Sequence, residues 1–194
     1  MHARHPAVHG ATLVIFTPTP IDGAFLVDLE PIADHRGSFA RAFCLREFAE
    51  AGVPFEVVQS NLARSTHAGV VRGLHYQRSP ADESKFVRCI AGSVFDAIVD
   101  MRPGSPTHLR AWWMELDAIG RRAVLIPAGV AHGYQSLTDG AEILYMTDRA
   151  YTPELETGVR FDDPAFAIPW PLPVRDMTDR DRNWPLLASR PELG

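Results

Sequence analysis

The sequence predicts an all-β domain, and three observations carry that expectation. Short apolar stretches rich in β-branched and aromatic residues recur between turn signals such as Arg102-Pro103-Gly104-Ser105-Pro106, Asp117 to Gly120, Pro127-Ala128-Gly129 and Thr138-Asp139-Gly140. Such spacing belongs to sandwiches and barrels. Only Leu45 to Ala51 has a strong helical pattern, and Gly52 follows it as a C-cap. No repeat, low-complexity tract or charge block divides the 194 residues, a length that buries one good core and is short for two.

In chain order, the first strand is expected at Ala24–Glu30, around Phe25 and Val27, with the Leu45–Ala51 helix after it. Phe55–Ser60 contains the pair Val57-Val58, and Val70–Gln77 and Lys85–Ile90 follow as the next apolar runs. Val94–Met101 stops at the Arg102–Pro106 turn. Leu109–Leu116 alternates imperfectly, and its Trp112-Trp113 pair puts one large ring on each face. Ala123–Ile126 ends at the Pro127–Gly129 turn, and Glu142–Thr147 begins after Thr138–Gly140. From Asp162 onward the chain is rich in proline and aspartate, and it is expected to wrap the barrel with short helical turns. The domain organisation read from this is one unit, 1–194, with an N-terminal extension and a wrapping C-terminal tail.

A net charge of −5 offers no basic surface for nucleic acid. Any phosphate recognition must then be local, with a few arginines drawn into a pocket. Two cysteines, Cys44 and Cys89, are too few for a disulfide framework or a cysteine zinc site, and read as core thiols in a reducing cytosol. The run Leu13–Phe16 is too short for a signal-peptide core or a membrane span. A cytoplasmic protein with no membrane partner is expected.

The chemistry concentrates in Arg72-Gly73-Leu74-His75-Tyr76-Gln77 and in Lys85. An arginine, a histidine and a lysine on strands of a soluble protein have a reason to be there if they line a cavity. Histidine is the usual general base near neutral pH, lysine stabilises an oxyanion, and arginine grips phosphate. Strict alternation puts Arg72 and His75 on opposite faces, so a bulge or bend at Gly73 is needed to bring them together. Taken singly, a histidine among apolar neighbours is usually a packing residue. The group Asp34-His35-Arg36-Gly37-Ser38-Phe39 reads by itself as a polar turn leading into a strand, Tyr145 as a packing tyrosine, and Asp181 as a surface charge or helix cap.

Pro127-Ala128-Gly129-Val130-Ala131-His132 is a tight turn that delivers a histidine to the start of a strand. It matches the second motif of the cupin superfamily, P-x-G-x-x-H. Metal-binding cupins offer H-x-H in the first motif, where this chain has His75 with Gln77 two residues on. A metal site built from His75, Glu83 and His132 stays open as an alternative.

Together these segments resemble the dTDP-4-dehydrorhamnose 3,5-epimerases, cupin-fold enzymes of deoxysugar nucleotide biosynthesis. The similarity runs from about Leu26 to Leu187. Its marks include D-x-R-G-x-F at Asp34–Phe39, Q-x-N at Gln59–Asn61, R-G-L-H-Y-Q at Arg72–Gln77, K-x-V-R-C at Lys85–Cys89 and A-E-x-L-Y at Ala141–Tyr145. V-D-x-R at Val99–Arg102, S-P-T at Ser105–Thr107 and D-D-P at Asp162–Pro164 add to them in the same order. The resemblance implies a cupin-type jelly-roll β-barrel with a few short helices, a homodimer, no metal and no other cofactor. It implies His75 as base, Asp181 as the carboxylate orienting it, Tyr145 as acid on the opposite face of the sugar, and Lys85 beside the carbonyl oxygen. It puts Arg36, Gln59, Asn61, Arg72, His132, Tyr151, Glu156 and Arg180 in contact with the nucleotide, phosphates or sugar. In one departure, Arg41 stands where many members have glutamate, which bears on the nucleobase and on whether both centres are epimerised.

The chemistry suits these residues. Protons at C3 and C5 of a 4-keto sugar are acidified by the carbonyl, and removing one makes an enolate that a lysine can stabilise. Reprotonation from the other face inverts the centre, so base and acid must flank the ring. The competing readings are a metal-dependent cupin enzyme, such as an oxygenase or isomerase, and a non-catalytic cupin that binds nucleotide sugars.

Overall fold

The architecture is that of a computed structural model in which residues 14–190 are described. The N-terminal extension expected ahead of Val14 lies outside the described residues. In chain order the elements are β1 (Val14–Pro18), β2 (Phe25–Leu29), β3 (Ile32–Asp34), β4 (Gly37–Phe39), α1 (Leu45–Glu50), β5 (Gln59–Arg64), β6 (Val71–Gln77), β7 (Lys85–Ala91) and β8 (Ser93–Asp100). They continue with β9 (Ala111–Asp117), β10 (Ala123–Ile126), β11 (Val130–Ser136), β12 (Glu142–Thr147), β13 (Glu156–Gly158) and α2 (Asp179–Arg182).

Two antiparallel sheets form the jelly roll, one of six strands in the order β1-β2-β10-β7-β12-β5 and one of five in the order β13-β6-β11-β8-β9. The core between them follows from alternation along each strand. Val87 and Cys89 of β7, Val124 and Ile126 of β10 and Ile143 of β12 meet Val94 and Ile98 of β8, Leu116 of β9 and Val130 of β11. The other set of side chains on the six-stranded sheet, with Phe86 among them, packs under α1, whose Phe48 is fully buried. Phe48 meets Phe16 at 4.8 Å and Phe86 at 5.3 Å, both edge-to-face, the arrangement that ring quadrupoles favour.

That aromatic cluster explains why β5 begins at Gln59 and not at Phe55. Phe55 is drawn into contact with Phe43, Phe48 and Phe86, and ladder pairing resumes only where the Val58 N–H donates to the Thr147 carbonyl at 2.8 Å. Leu109 has a left-handed φ of 61°, so β9 likewise starts late, at Ala111. β1 pairs with β2 over five residues, a use for the apolar N-terminal run that its shortness did not reveal.

On the outer side of the five-stranded sheet, Phe161, Phe166, Ile168, Trp170 and Leu187 cover Leu74, Tyr76, Ala97, Val99 and Ala131. Gln135, fully buried, pins this segment by donating to the Leu172 carbonyl at 2.8 Å and accepting from the Leu172 N–H at 3.0 Å. The chain then returns alongside Val70 through Asp176 and enters α2 beside β6. This return carries Asp181 to the site. Among the described residues no helix is long and apolar enough to cross a membrane.

Candidate active site

A cavity of about 560 Å³ opens between the two sheets. Its walls follow from the registers. β12 sets Tyr145 opposite Asn61 of β5 and Thr147 opposite both Gln59 of β5 and Lys85 of β7, so these side chains share the inward face. The facing wall belongs to β6 and β11, where His75 and His132 are register partners. Arg72 and His75 both line the cavity despite their spacing. The reason is a bulge: His132 pairs with His75 but Tyr134 pairs with Arg72, giving β6 one extra residue. Gly73 sits there at φ +113°, and a Cβ would lie 2.5 Å from the Gly133 Cα. Only glycine fits.

His75 Nε2 lies 2.6 Å from Asp181 Oδ1, while Asp181 Oδ2 accepts the Gly73 N–H at 3.3 Å. A carboxylate accepting at Nε2 places the hydrogen there and leaves the lone pair on Nδ1, which is 3.8 Å from Glu156 Oε1. Burial alone would raise the Asp181 pKa, but hydrogen bonding and charge from His75, with help from Gly73 and Thr178, hold it below the usual carboxylate range. The sign follows: the folded pKa is depressed, so this contribution is present above the unfolded value of about 3.9 and is lost as pH falls through the folded one. Asp181→Asn is expected to lower stability at pH 7 by about 1.5–3 kcal/mol, the worth of a hydrogen bond to a charged group. Thermal melts of wild type and variant between pH 7 and pH 2 should converge in acid, and parallel curves would show that this carboxylate is not the linked group.

The opposite wall carries the other polarity. Tyr145 is half-buried, and burial first, then the charges of Glu83 and Glu156, push its phenol above the ordinary tyrosine value against a smaller pull from Arg72. It therefore holds its proton at neutral pH, as an acid must. The buried Lys85 ammonium donates to the His75 carbonyl at 3.3 Å and pairs with Glu83 Oε1 at 3.0 Å. His132 Nε2 is 2.8 Å from the fully buried Asp96.

The residues expected to bind substrate divide into two groups. Gln59, Asn61, Arg72, His132, Tyr151, Glu156 and Arg180 all border the cavity. Gln59 donates to Asn61 at 2.9 Å; Tyr151 donates to Glu156 Oε2 at 2.5 Å, and Arg180 pairs with that same oxygen while lying over the Trp184 ring. Arg72 is exposed at the rim, its guanidinium donating to the Arg64 carbonyl at 3.2 Å. Arg36 does not line this cavity of its own chain. The β3–β4 turn closes on itself: Asp34 accepts from the Arg36 backbone at 2.8 Å and its guanidinium at 2.6 Å, leaving Arg36 on an exposed surface. Arg41 does not line the cavity either; it is bound at 2.6 Å to the buried Glu47.

The three side chains weighed as metal ligands are each engaged elsewhere: His75 with Asp181, His132 with Asp96, and Glu83 with Lys85 and Gln77. Among the described residues no three histidine, cysteine, aspartate or glutamate side chains cluster to hold a metal. Sequence reasoning missed Asp96 as the partner of His132 and Glu83 as the partner of Lys85. It also missed Ile143 and Thr147 as lining residues, although period-two spacing from Tyr145 would have found both.

The model of the dTDP-4-dehydrorhamnose 3,5-epimerase family matches residues 18–189. The chain belongs to that family. It is 39% identical to a dTDP-4-dehydrorhamnose 3-epimerase of Streptomyces niveus, over 91% of this chain and 86% of the relative. It is 38% identical to a dTDP-4-dehydrorhamnose 3,5-epimerase of Methanothermobacter thermautotrophicus, over 91% and 96%. The Legionella pneumophila dTDP-6-deoxy-D-glucose-3,5-epimerase, solved in complex with dTDP-4-keto-L-rhamnose, superposes with a TM-score of 0.84 at 35% identity, covering 90% of this chain and 93% of its own. A one-centre and a two-centre family member thus stand at nearly equal distance, and overall identity does not choose between them.

Proposed function

We propose that this protein inverts C3, C5 or both in a dTDP-linked 4-keto-6-deoxyhexose, by proton transfer through an enolate. The observation that carries the reading is the placement of the His75–Asp181 pair on one wall of a single cavity and of Tyr145 with Lys85 on the facing wall. His75 Nδ1 takes the proton next to the C4 carbonyl, and Asp181 stabilises the resulting imidazolium. The Lys85 ammonium lies in a largely dry setting, where it stabilises the enolate oxygen far better than it would in water. Tyr145 delivers a proton to the other face. The proton alone moves, so the carbon skeleton changes neither oxidation state nor substituents.

The decisive experiment is incubation with dTDP-4-keto-6-deoxyglucose in heavy water, with deuterium at C3 and C5 read by NMR. Incorporation at one or both carbons with inverted product supports the reading and counts the centres. Binding without exchange would make the protein a nucleotide-sugar-binding cupin.

Arg72 is proposed to hold the diphosphate at the rim. Arg72→Ala is expected to weaken dTDP binding by about 1.5–3 kcal/mol, roughly 10- to 150-fold, with kcat at saturation nearly unchanged. Wild-type dTDP affinity by calorimetry would remove Arg72 from the phosphate site.

A homodimer is also proposed. The outer face of edge strand β5 and the β3–β4 hairpin expose Leu62 at 62% and Phe39 at 65%, apolar surface that a sheet edge normally covers. Pairing of this region, with Arg36, against a second copy would cover it. Light scattering should then give twice 21.5 kDa across the micromolar range; a constant monomer mass would sink the idea. A reducing cytoplasm suits the two free thiols, Cys44 and Cys89.

A further inference from the structure

Glu83 has no part in the chemistry above, yet it is a buried carboxylate on the wall of the same cavity. Burying a carboxylate costs several kcal/mol unless it is paired and hydrogen-bonded. Both oxygens are used: Oε1 faces Lys85 Nζ at 3.0 Å, and Oε2 accepts from Gln77 Nε2 at 3.0 Å. Gln77 is itself only 2% exposed, and its Oε1 accepts the Thr152 N–H at 2.8 Å. A backbone amide, an amide side chain and a carboxylate thus form a fixed line ending on the ammonium.

Lysine has three donors on a flexible stem, so its direction must be set by what it touches. Lys85 gives one N–H to Glu83 and another to the carbonyl of His75, the base residue itself. Among the described residues no protein partner is seen for the third. With two directions anchored, tetrahedral geometry sets the remaining one.

We propose that Glu83 is a positioning residue: it holds the Lys85 ammonium oriented, so that the remaining N–H meets the substrate oxygen as His75 removes the proton. The inference rests on the proposed enolate chemistry. A rival effect runs the other way, since a carboxylate in the cavity repels a developing enolate. If repulsion dominated, neutralising Glu83 would speed the reaction; if anchoring dominates, it slows it. The anchoring reading is favoured because both oxygens of Glu83 are occupied on the protein side, with the ammonium as one partner. The Glu83 charge is also felt at Tyr145, where it adds to burial in keeping the phenol protonated.

The test compares wild type, Glu83→Gln, Glu83→Asp, Lys85→Met and the Glu83→Gln/Lys85→Met double variant. The readouts are kcat, KM, deuterium wash-in from heavy water, and dTDP affinity by calorimetry, with folding checked by circular dichroism. Glu83→Gln should lower kcat and wash-in about 10- to 100-fold, less than or equal to the loss of an oxyanion donor itself, and leave KM and dTDP affinity within about threefold. Glu83→Asp keeps the charge and should recover part of the rate, and it carries the test should Glu83→Gln not fold. In the Lys85→Met background, Glu83→Gln should change the rate by less than about twofold, because its effect passes through the lysine. An unchanged or raised kcat in Glu83→Gln, the same fold-loss in the Lys85→Met background, or a parallel loss of dTDP affinity would each overturn the inference. A wild-type protein that exchanges no substrate proton removes the enolate reading as a whole; an active wild type indifferent to Glu83→Gln removes only the role given to Glu83.

Discussion

His75→Asn is expected to abolish deuterium wash-in at every epimerisable carbon, with a fall of roughly 10²–10⁴ in rate, the usual worth of a general base. The expectation comes from the direction of the ring. Asp181 occupies Nε2, so Nδ1 is the lone pair that can take a proton, and an amide nitrogen or oxygen in its place is far too weak a base. Binding should survive, since Gln59 and Asn61 on β5 line the cavity and hydrogen-bond to each other rather than to the imidazole. Calorimetry with dTDP should give an affinity within about threefold of wild type, because the nucleoside diphosphate does not react. Near-wild-type wash-in by a folded His75→Asn protein would show that the base is elsewhere, with Glu156, 3.8 Å from Nδ1, the next group to replace.

The legible parts of this molecule were those written in local spacing. Turn signals marked the strand ends, because glycine and proline fix backbone torsions without reference to the rest of the chain. β10 and β12 fall on Ala123–Ile126 and Glu142–Thr147 as the sequence placed them. β5 slipped because Phe55 answers to rings from α1 and β7, partners distant in sequence. In the site, the approach of Arg72 and His75 to one cavity was foreseeable as a need for a bulge at Gly73, but its cause, the packing of Gly73 on Gly133, appears only when β6 and β11 are paired. Asp181 lies 106 positions from His75 and reached the site list through family motifs; nothing local distinguishes it from a helix-capping aspartate. The same limit hid Glu83, whose spacing fits a metal ligand as well as a lysine partner.

Tyr145→Phe should separate proton removal from inversion. The phenol stands on β12, across the cavity from His75 on β6, so the two groups address opposite faces of a ring held between the sheets. Without the hydroxyl, His75 still forms the enolate, and its imidazolium can return a proton to the face it came from. In heavy water the substrate should therefore gain deuterium with its configuration retained, while inverted product falls by about 10²-fold or more. Lys85 is untouched by this change, so the enolate remains stabilised and wash-in should persist at a substantial part of the wild-type rate. The alkaline side gives an independent check on the wild type. Burial, then Glu83 and Glu156, push the Tyr145 phenol above the ordinary value of about 10, so inversion lost through ionisation of this group should have its midpoint above pH 10. Inverted product formed at the wild-type rate by Tyr145→Phe would require a different acid on that wall. Equal loss of wash-in and inversion would mean instead that the tyrosine acts before the enolate forms, and the two-sided order of events would have to be abandoned.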